Sequence, residues 1–171
     1  LFLKITVLFI VVIGSKDIDE NDKKMIQTLA KGIKKAGYVL ISGGQTGVDN
    51  YAEQSMLDVG GDVVSIISNS LINRIRNRET REELIKGTLL LVSPYGYNEL
   101  VSVSNLLMRN FVLLELSTKT IVPKMKANDD VYYPLFTKNG TDIQRKVIAI
   151  ESIAKKSAMN DIIDKFTLPS V

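Results

Sequence analysis

At 171 residues, with 45% hydrophobic and 24% charged side chains and a net charge of +3, the chain has the size and balance of one soluble globular domain, taken as residues 1–171. It contains no cysteine and no histidine, which excludes disulfides, thiolate and imidazole metal sites, and Ser-His-Asp or Cys-His catalysis. The mild positive charge permits an acidic partner without marking a dedicated nucleic-acid binder, whose basic residues cluster on one face.

The run Ile5 to Ile13 is unbroken and rich in β-branched residues, the pattern of a strand covered on both faces. Even with Leu1 to Lys4 added it is too short to span a bilayer, and it ends in Gly14-Ser15-Lys16 instead of a cleavage pattern. No membrane segment is expected, and a cytoplasmic location is the default. Asp19 is placed to cap a helix reaching about Ala36, with Ile26, Leu29, Ala30, Ile33 and Ala36 on one face and Gly37 as its stop. Tyr38 to Ser42 is the next strand. After a glycine-rich turn, Val48, Ala52, Met56 and Val59 form a second helical stripe, closed by Gly60-Gly61, and Asp62 to Ile67 is a third strand.

Leu71, Ile72 and Ile75 mark a short helix and Glu79 to Lys86 another, stopped by Gly87. Arg74, Arg76, Arg78 and Arg81 interleave with Glu79, Glu82 and Glu83 and read as a solvated helical face with local ion pairs. Thr88 to Val92 is a fourth strand ending at Ser93-Pro94-Tyr95-Gly96. Ser102 to Leu116 is helical by spacing, although Phe111-Val112-Leu113-Leu114 would also suit a strand. Thr120 to Met125 and Lys146 to Ile150 give a fifth and a sixth strand, separated by an irregular stretch, and Ser152 to Phe166 a terminal helix. Strands alternating with helices through short turns predict an α/β fold of three layers around a mostly parallel sheet of about six strands.

The chemistry centres on Ser42-Gly43-Gly44-Gln45-Thr46-Gly47-Val48-Asp49, a strand, a turn with three glycines and the start of a helix. Such a turn admits a ligand close to the backbone, and the helix N-terminus favours an anion, so a phosphate-bearing ligand is expected. No Gly-Lys-Ser/Thr follows as in a Walker loop, and Ser65-Ile66-Ile67-Ser68-Asn69 lacks the ribose-binding acid of a dinucleotide site. Asp49 either serves the helix dipole or, beside the ligand, holds a ribose hydroxyl or acts as a base. In a parallel sheet ligands bind at the carboxyl ends of the strands. That adds Gly14, Ser15 and Lys16 and the turn at Ser93 to the candidate site. Arg109, one helical turn after Asn105, is placed to clamp an anion, with Asn110 beside it. Tyr95, Tyr97, Tyr132 and Tyr133 are candidates for stacking on bases.

These residues resemble a known superfamily. Val12-Ile13-Gly14-Ser15-Lys16, Ile41-Ser42-Gly43, Gly47-Val48-Asp49 and Ala52 are similar to the Rossmann-like superfamily that contains DNA-processing protein A, the cytokinin-activating phosphoribohydrolases and the molybdenum-cofactor carriers. Asn77-Arg78-Glu79, Gly87, Leu89-Leu90-Leu91, Ser93-Pro94, Arg109-Asn110 and Leu116-Ser117 resemble the DNA-processing branch in order and spacing, over roughly residues 5 to 125. That branch implies binding of single-stranded DNA, a homodimer and no catalysis, but carries an arginine where this chain has Thr46. The turn itself looks like that of the cofactor carriers, whose downstream Pro-Lys-Gly segment is missing. The Pro-Gly-Gly-x-Gly-Thr-x-x-Glu segment of the phosphoribohydrolases has no match. A Gly-Thr turn after the fifth strand has one candidate, Asn139-Gly140-Thr141.

The leading expectation is therefore a nucleotide- or single-stranded nucleic-acid-binding protein, with no metal. The alternatives are a carrier or sensor of a nucleotide or phosphorylated cofactor, and a nucleotide N-glycosidase using Asp49.

Overall fold

In the computed structural model, which describes residues 7–96, 100–126, 129, 147–150 and 164–166 (the last two stretches as backbone only), alternation along the strands divides the core between two faces of one sheet. Ile10 and Val12 of β1 (Phe9–Val12) and Leu40 of β2 (Val39–Ser42) point to one face. Val11, Ile13 and Ile41 point to the other. This is the period of two that a pleated strand imposes.

On the first face lie α1 (Glu20–Lys35) and α2 (Val48–Asp58), packed against each other. Ile26, Leu29, Ala30 and Ile33 of α1 meet Val48, Ala52 and Met56 of α2 there. Both apolar stripes are those legible in the sequence. The second face is covered by α5 (Val103–Leu116), whose Leu113 and Leu114 are fully buried against Val11, Ile13 and Val122. The ambiguous Phe111–Leu114 run is thus helical. Burial of these side chains against the sheet, the dominant favourable term in folding, selects the helix.

The capping predicted at Asp19 is present and reciprocal. Its carboxylate accepts from the Asn21 and Asp22 N–H groups, while the Asp22 carboxylate accepts from the Asp19 N–H at 2.8 Å. At the other end of α1, Gly37 takes a φ of +75°, which releases the chain into β2.

After β3 (Val63–Ile66) come α3 (Leu71–Ile75), α4 (Arg78–Lys86) and β4 (Leu89–Val92), then α5, β5 (Lys119–Val122), β6 (Val147–Ile150) and β7 (Asp164–Phe166). The sheet order is β4-β3-β2-β1-β5-β6-β7, and every pairing is parallel. The chain grows outward from β1 to β4 and then restarts on the other side of β1. The switch between β1 and β5 leaves a crevice at their carboxyl ends, where such folds bind ligands.

One expectation changes. Among the described residues the sheet has seven strands, close to the about six expected, but the seventh, Asp164–Phe166, occupies the end of the stretch expected to be a terminal helix. The unpaired edge of β6 offers a ladder of backbone donors and acceptors, and pairing there overrides local helical propensity. The expectations at residues 1–6, Tyr97, Tyr132, Tyr133, Asn139-Gly140-Thr141 and the helix over 152–163 lie outside the described residues. Among the described residues no helix is long and apolar enough to cross a membrane.

Candidate functional site

The turn between β2 and α2 is held from below by its own strand. Ser42, fully buried, accepts from the Gly44 N–H and donates to the Asp49 carbonyl, both at 3.0 Å. Gly44 and Gly47 take φ values of +63° and +98°, conformations that favour glycine. Gly47 also has to be small, because a Cβ there would sit 2.3 Å from the Ser15 carbonyl oxygen. That carbonyl accepts the Val48 N–H at 3.0 Å, and the Gln45 carbonyl accepts the Asn50 N–H at 2.8 Å. The start of α2 is therefore tied into the neighbouring turn, and its Val48 and Asn50 N–H groups are used internally.

Asp49 and Glu53 stand one helical turn apart on α2, and each receives an arginine from a distant element. The inner pair is Asp49 with Arg109 of α5, at 3.5 Å, with side chains 4% and 0% exposed. Arg109 also donates to the Gln45 side-chain oxygen at 3.0 Å, and Asp49 accepts from the Gly14 N–H at 3.3 Å. The guanidinium lies so close to Gly43 that a Cβ there would fall 1.2 Å from Nη1. Gly43 is glycine because Arg109 occupies its side-chain space. Burial pushes the Asp49 carboxyl up to about 6, against the opposing pull of Arg109 and of the Gly14 and Gly43 backbone; Glu53 adds to the rise.

The outer pair is Glu53 with Arg74 of α3. Glu53 is buried, accepts from the Ser65 hydroxyl at 2.8 Å and is paired with Arg74 Nη2. Arg74 Nη1 donates to the Gly44 carbonyl at 3.3 Å. Its side chain stays 22% exposed. Arg74 thus leaves the solvated arginine face expected of it. Arg78 keeps that role, pairing with Glu82 at 2.7 Å, and Arg81 donates to the Ile75 and Arg76 carbonyls at the end of α3.

The turn separates two clefts. One, of about 490 Å³, lies at the β1–β5 switch and is lined by Lys16, Asp17, Asp19, Thr46, Tyr51 and Lys124 among others. Its charges are mixed, and Lys124 is itself paired with Asp22 at 2.5 Å and Asp19 at 3.6 Å. The other, of about 260 Å³, lies toward β3 and is lined by Gly44, Gln45, Thr46, Asn69, Asn73 and Arg74 with an apolar wall that includes Leu106.

The structure brings Gly14, Ser15, Lys16, the Ser42–Gly47 turn, Asp49, Arg109 and Asn110 into one neighbourhood. Within it Lys16 and Thr46 are exposed and Gly14, Gly44 and Gln45 half-buried, whereas Ser15, Ser42, Gly43, Gly47, Asp49, Arg109 and Asn110 are buried. Arg109, expected to clamp a ligand, faces Asp49 and Gln45 inside the protein. Ser93 belongs elsewhere: its hydroxyl donates to the Asn69 carbonyl at 2.8 Å and accepts the Tyr95 N–H, tying the β4 turn to the rim of the second cleft. Glu53 and Arg74 escape sequence reasoning. The available signal is the i, i+4 pair of carboxylates beside the apolar stripe of α2.

A parallel sheet with this strand order and a glycine turn at the carboxyl end of its second strand defines a Rossmann-like fold. A family model, DNA recombination-mediator protein A, matches residues 4–164, and the chain belongs to that family. Among solved structures, DNA processing protein A from Streptococcus pneumoniae is 18% identical with a TM-score of 0.76, covering 94% of this chain and 59% of that one. The chain therefore spans just under three-fifths of the pneumococcal protein. DNA processing protein A from Helicobacter pylori, described with its single-stranded DNA binding mode, is 19% identical with a TM-score of 0.73, over 95% of this chain and 77% of that one. The molybdenum cofactor binding protein of Rippkaea orientalis is 17% identical with a TM-score of 0.62, over 97% and 93%. At these identities the structural likeness establishes the fold. No curated protein matches the chain.

Proposed function

We propose that the chain binds single-stranded nucleic acid through its phosphates at the glycine turn, in the cytoplasm and as a homodimer, without catalysing a reaction on it. The family model carries this reading, because the residues it matches include the turn, both arginine–carboxylate pairs and the sheet that positions them. The turn's open rim, with Lys16 and Thr46 exposed on one flank and Arg74 on the other, supplies donors of the kind that bind phosphate. Asp49 fits a brace better than a base, since its carboxylate is buried and engaged with Gly14 and Arg109.

The test is fluorescence anisotropy with a labelled single-stranded oligonucleotide across a salt series. Binding that weakens linearly in log–log form as salt rises is expected, and no salt-dependent binding would overturn the reading. Light scattering of the same samples checks the dimer, and a protomer mass alone would refute it.

A second reading, a carrier of a nucleotide or phosphorylated cofactor, is favoured by the 490 Å³ cleft, which falls within the usual range for small-molecule sites. Thermal shift against nucleotides and pterin cofactors checks it, with stabilisation by a member of the panel as the expected outcome.

A further inference from the structure

Two pairs of the same chemistry support the glycine turn, yet they present different faces to a ligand. Arg109 is enclosed on all sides, whereas Arg74 lines the cleft toward β3 and the groove behind it. Among the described residues lining that cleft, Arg74 carries the sole formal charge. The larger cleft on the other flank is lined by Lys16 and Lys124 but equally by Asp17 and Asp19. Toward the β3 cleft the exposed charge is therefore the Arg74 guanidinium, whose own partner Glu53 is buried behind it.

We infer that Arg74, carried on α3 and held against the turn by buried Glu53, is the side chain that binds a phosphate oxygen of the ligand. This rests on the nucleic-acid-binding reading and names the residue that gives the site its charge. Glu53 and the Gly44 carbonyl fix the guanidinium through Nη2 and Nη1, so little side-chain freedom remains to be lost on binding. A guanidinium has five N–H donors, and those two contacts leave others for a phosphate. Glu53 is in turn fixed by the Ser65 hydroxyl, which places the orienting chain entirely inside the protein. The turn has threonine at its exposed position 46, and its positive charge arrives instead from a helix later in the chain. The amides of Asn69 and Asn73 on the same wall suit the edge of a base attached to that phosphate.

The shared chemistry is a phosphate ester, from a free nucleotide or from a nucleic-acid backbone. The experiment compares the full parent chain with Arg74→Lys and with the double variant Glu53→Gln/Arg74→Ala, which removes both charges together and leaves no buried carboxylate unpaired. The probes are a fluorescein-labelled oligothymidylate and AMP, and each protein is melted by circular dichroism. For the double variant the expected result is at least about a tenfold loss of oligonucleotide affinity at low salt. Its log–log salt slope becomes shallower by about 0.7, the signature of one lost contact to a single-stranded backbone. Arg74→Lys is expected to keep the slope and lose part of the affinity.

An Arg74-dependent response to AMP alone supports the inference with a free nucleotide as the source. Parent-like affinity and slope in the double variant, or a lowered melting temperature with the slope unchanged, overturns the role of Arg74 and leaves the family reading standing. A parent chain that binds neither probe overturns both.

Discussion

The two arginine–carboxylate pairs on α2 differ in their access to solvent, and that difference separates architecture from recognition. Asp49 with Arg109 is sealed between α2, α5 and the turn, at 4% and 0% exposure. Glu53 with Arg74 shares the helix, the spacing and the chemistry, but the guanidinium is 22% exposed and forms part of a cleft wall. A buried pair gains its Coulomb energy only after both charges have been desolvated, so its net effect on stability is small while the loss of either partner is costly. An open guanidinium keeps donors for a ligand. The inner pair therefore shapes the turn, and the outer one offers it charge.

The comparison breaks most sharply at the inner arginine. Arg109→Ala leaves the Asp49 carboxyl buried with no cation and is expected to cost about 3–5 kcal/mol in urea denaturation, enough to threaten the native state. The glycines then separate the two pairs. In Gly43→Ala the new methyl lies 1.2 Å from Arg109 Nη1 and 2.6 Å from the Asp49 carboxylate, so a fixed, buried ion pair has to move, at about 3 kcal/mol. In Gly44→Ala the methyl meets Arg74 Nη1 at 2.7 Å and the Ser65 hydroxyl at 3.0 Å, so the partly exposed guanidinium has to move off the turn. The remaining cost there is the left-handed φ, about 1–2 kcal/mol. Stability should fall most in the first variant and ligand affinity in the second, which anisotropy and denaturation on the same samples distinguish.

The inner pair also carries a pH dependence. In the folded protein the Asp49 carboxyl is raised from its ordinary value of 3.8 to about 6. Between these values the native state keeps a proton that the unfolded chain has released, so this group favours folding at low pH and loses that contribution as pH rises toward 6. The carboxyls of Asp17, Asp19 and Glu83 are shifted downward by lysines and hydrogen bonds and act in the opposite sense. The measurement is therefore the difference in denaturation midpoint between the parent and Asp49→Asn. The advantage of the parent should shrink from pH 4 to pH 6 and then level off, and a difference that stays flat would remove Asp49 as the titrating group.

Much of the fold was legible in local patterns. The stripes of α1 and α2, the cap at Asp19, the stop at Gly37 and the first five strands depend on neighbours within a turn or a pleat. At the candidate site, the sequence pointed to the glycine turn and to Arg109, which the fold packs together, yet assigned Arg109 to a ligand and Arg74 to solvent. Both assignments concern partners far along the chain: Arg109 lies 64 residues from Gln45, and Arg74 lies 21 from Glu53. No helical or strand period carries information over such distances. The terminal helix went astray for a related reason, since the strand at Asp164–Phe166 exists through its pairing with β6.

What the sequence by itself determined is the succession of strands, turns and helices, the parallel sheet that succession implies, and a glycine turn at Ser42–Gly47. These follow from hydrophobic periodicity and from backbone conformations open to glycine, both properties of short segments. Only the tertiary structure decided which arginine is enclosed and which lines a cleft, because burial and ion pairing are fixed by where α3 and α5 come to rest against α2. The glycines owe their identity to the same packing: Gly43 gives way to Arg109 and Gly47 to the Ser15 carbonyl. A turn that reads as a cradle for phosphate is, on its inner side, a cradle for the protein's own arginine.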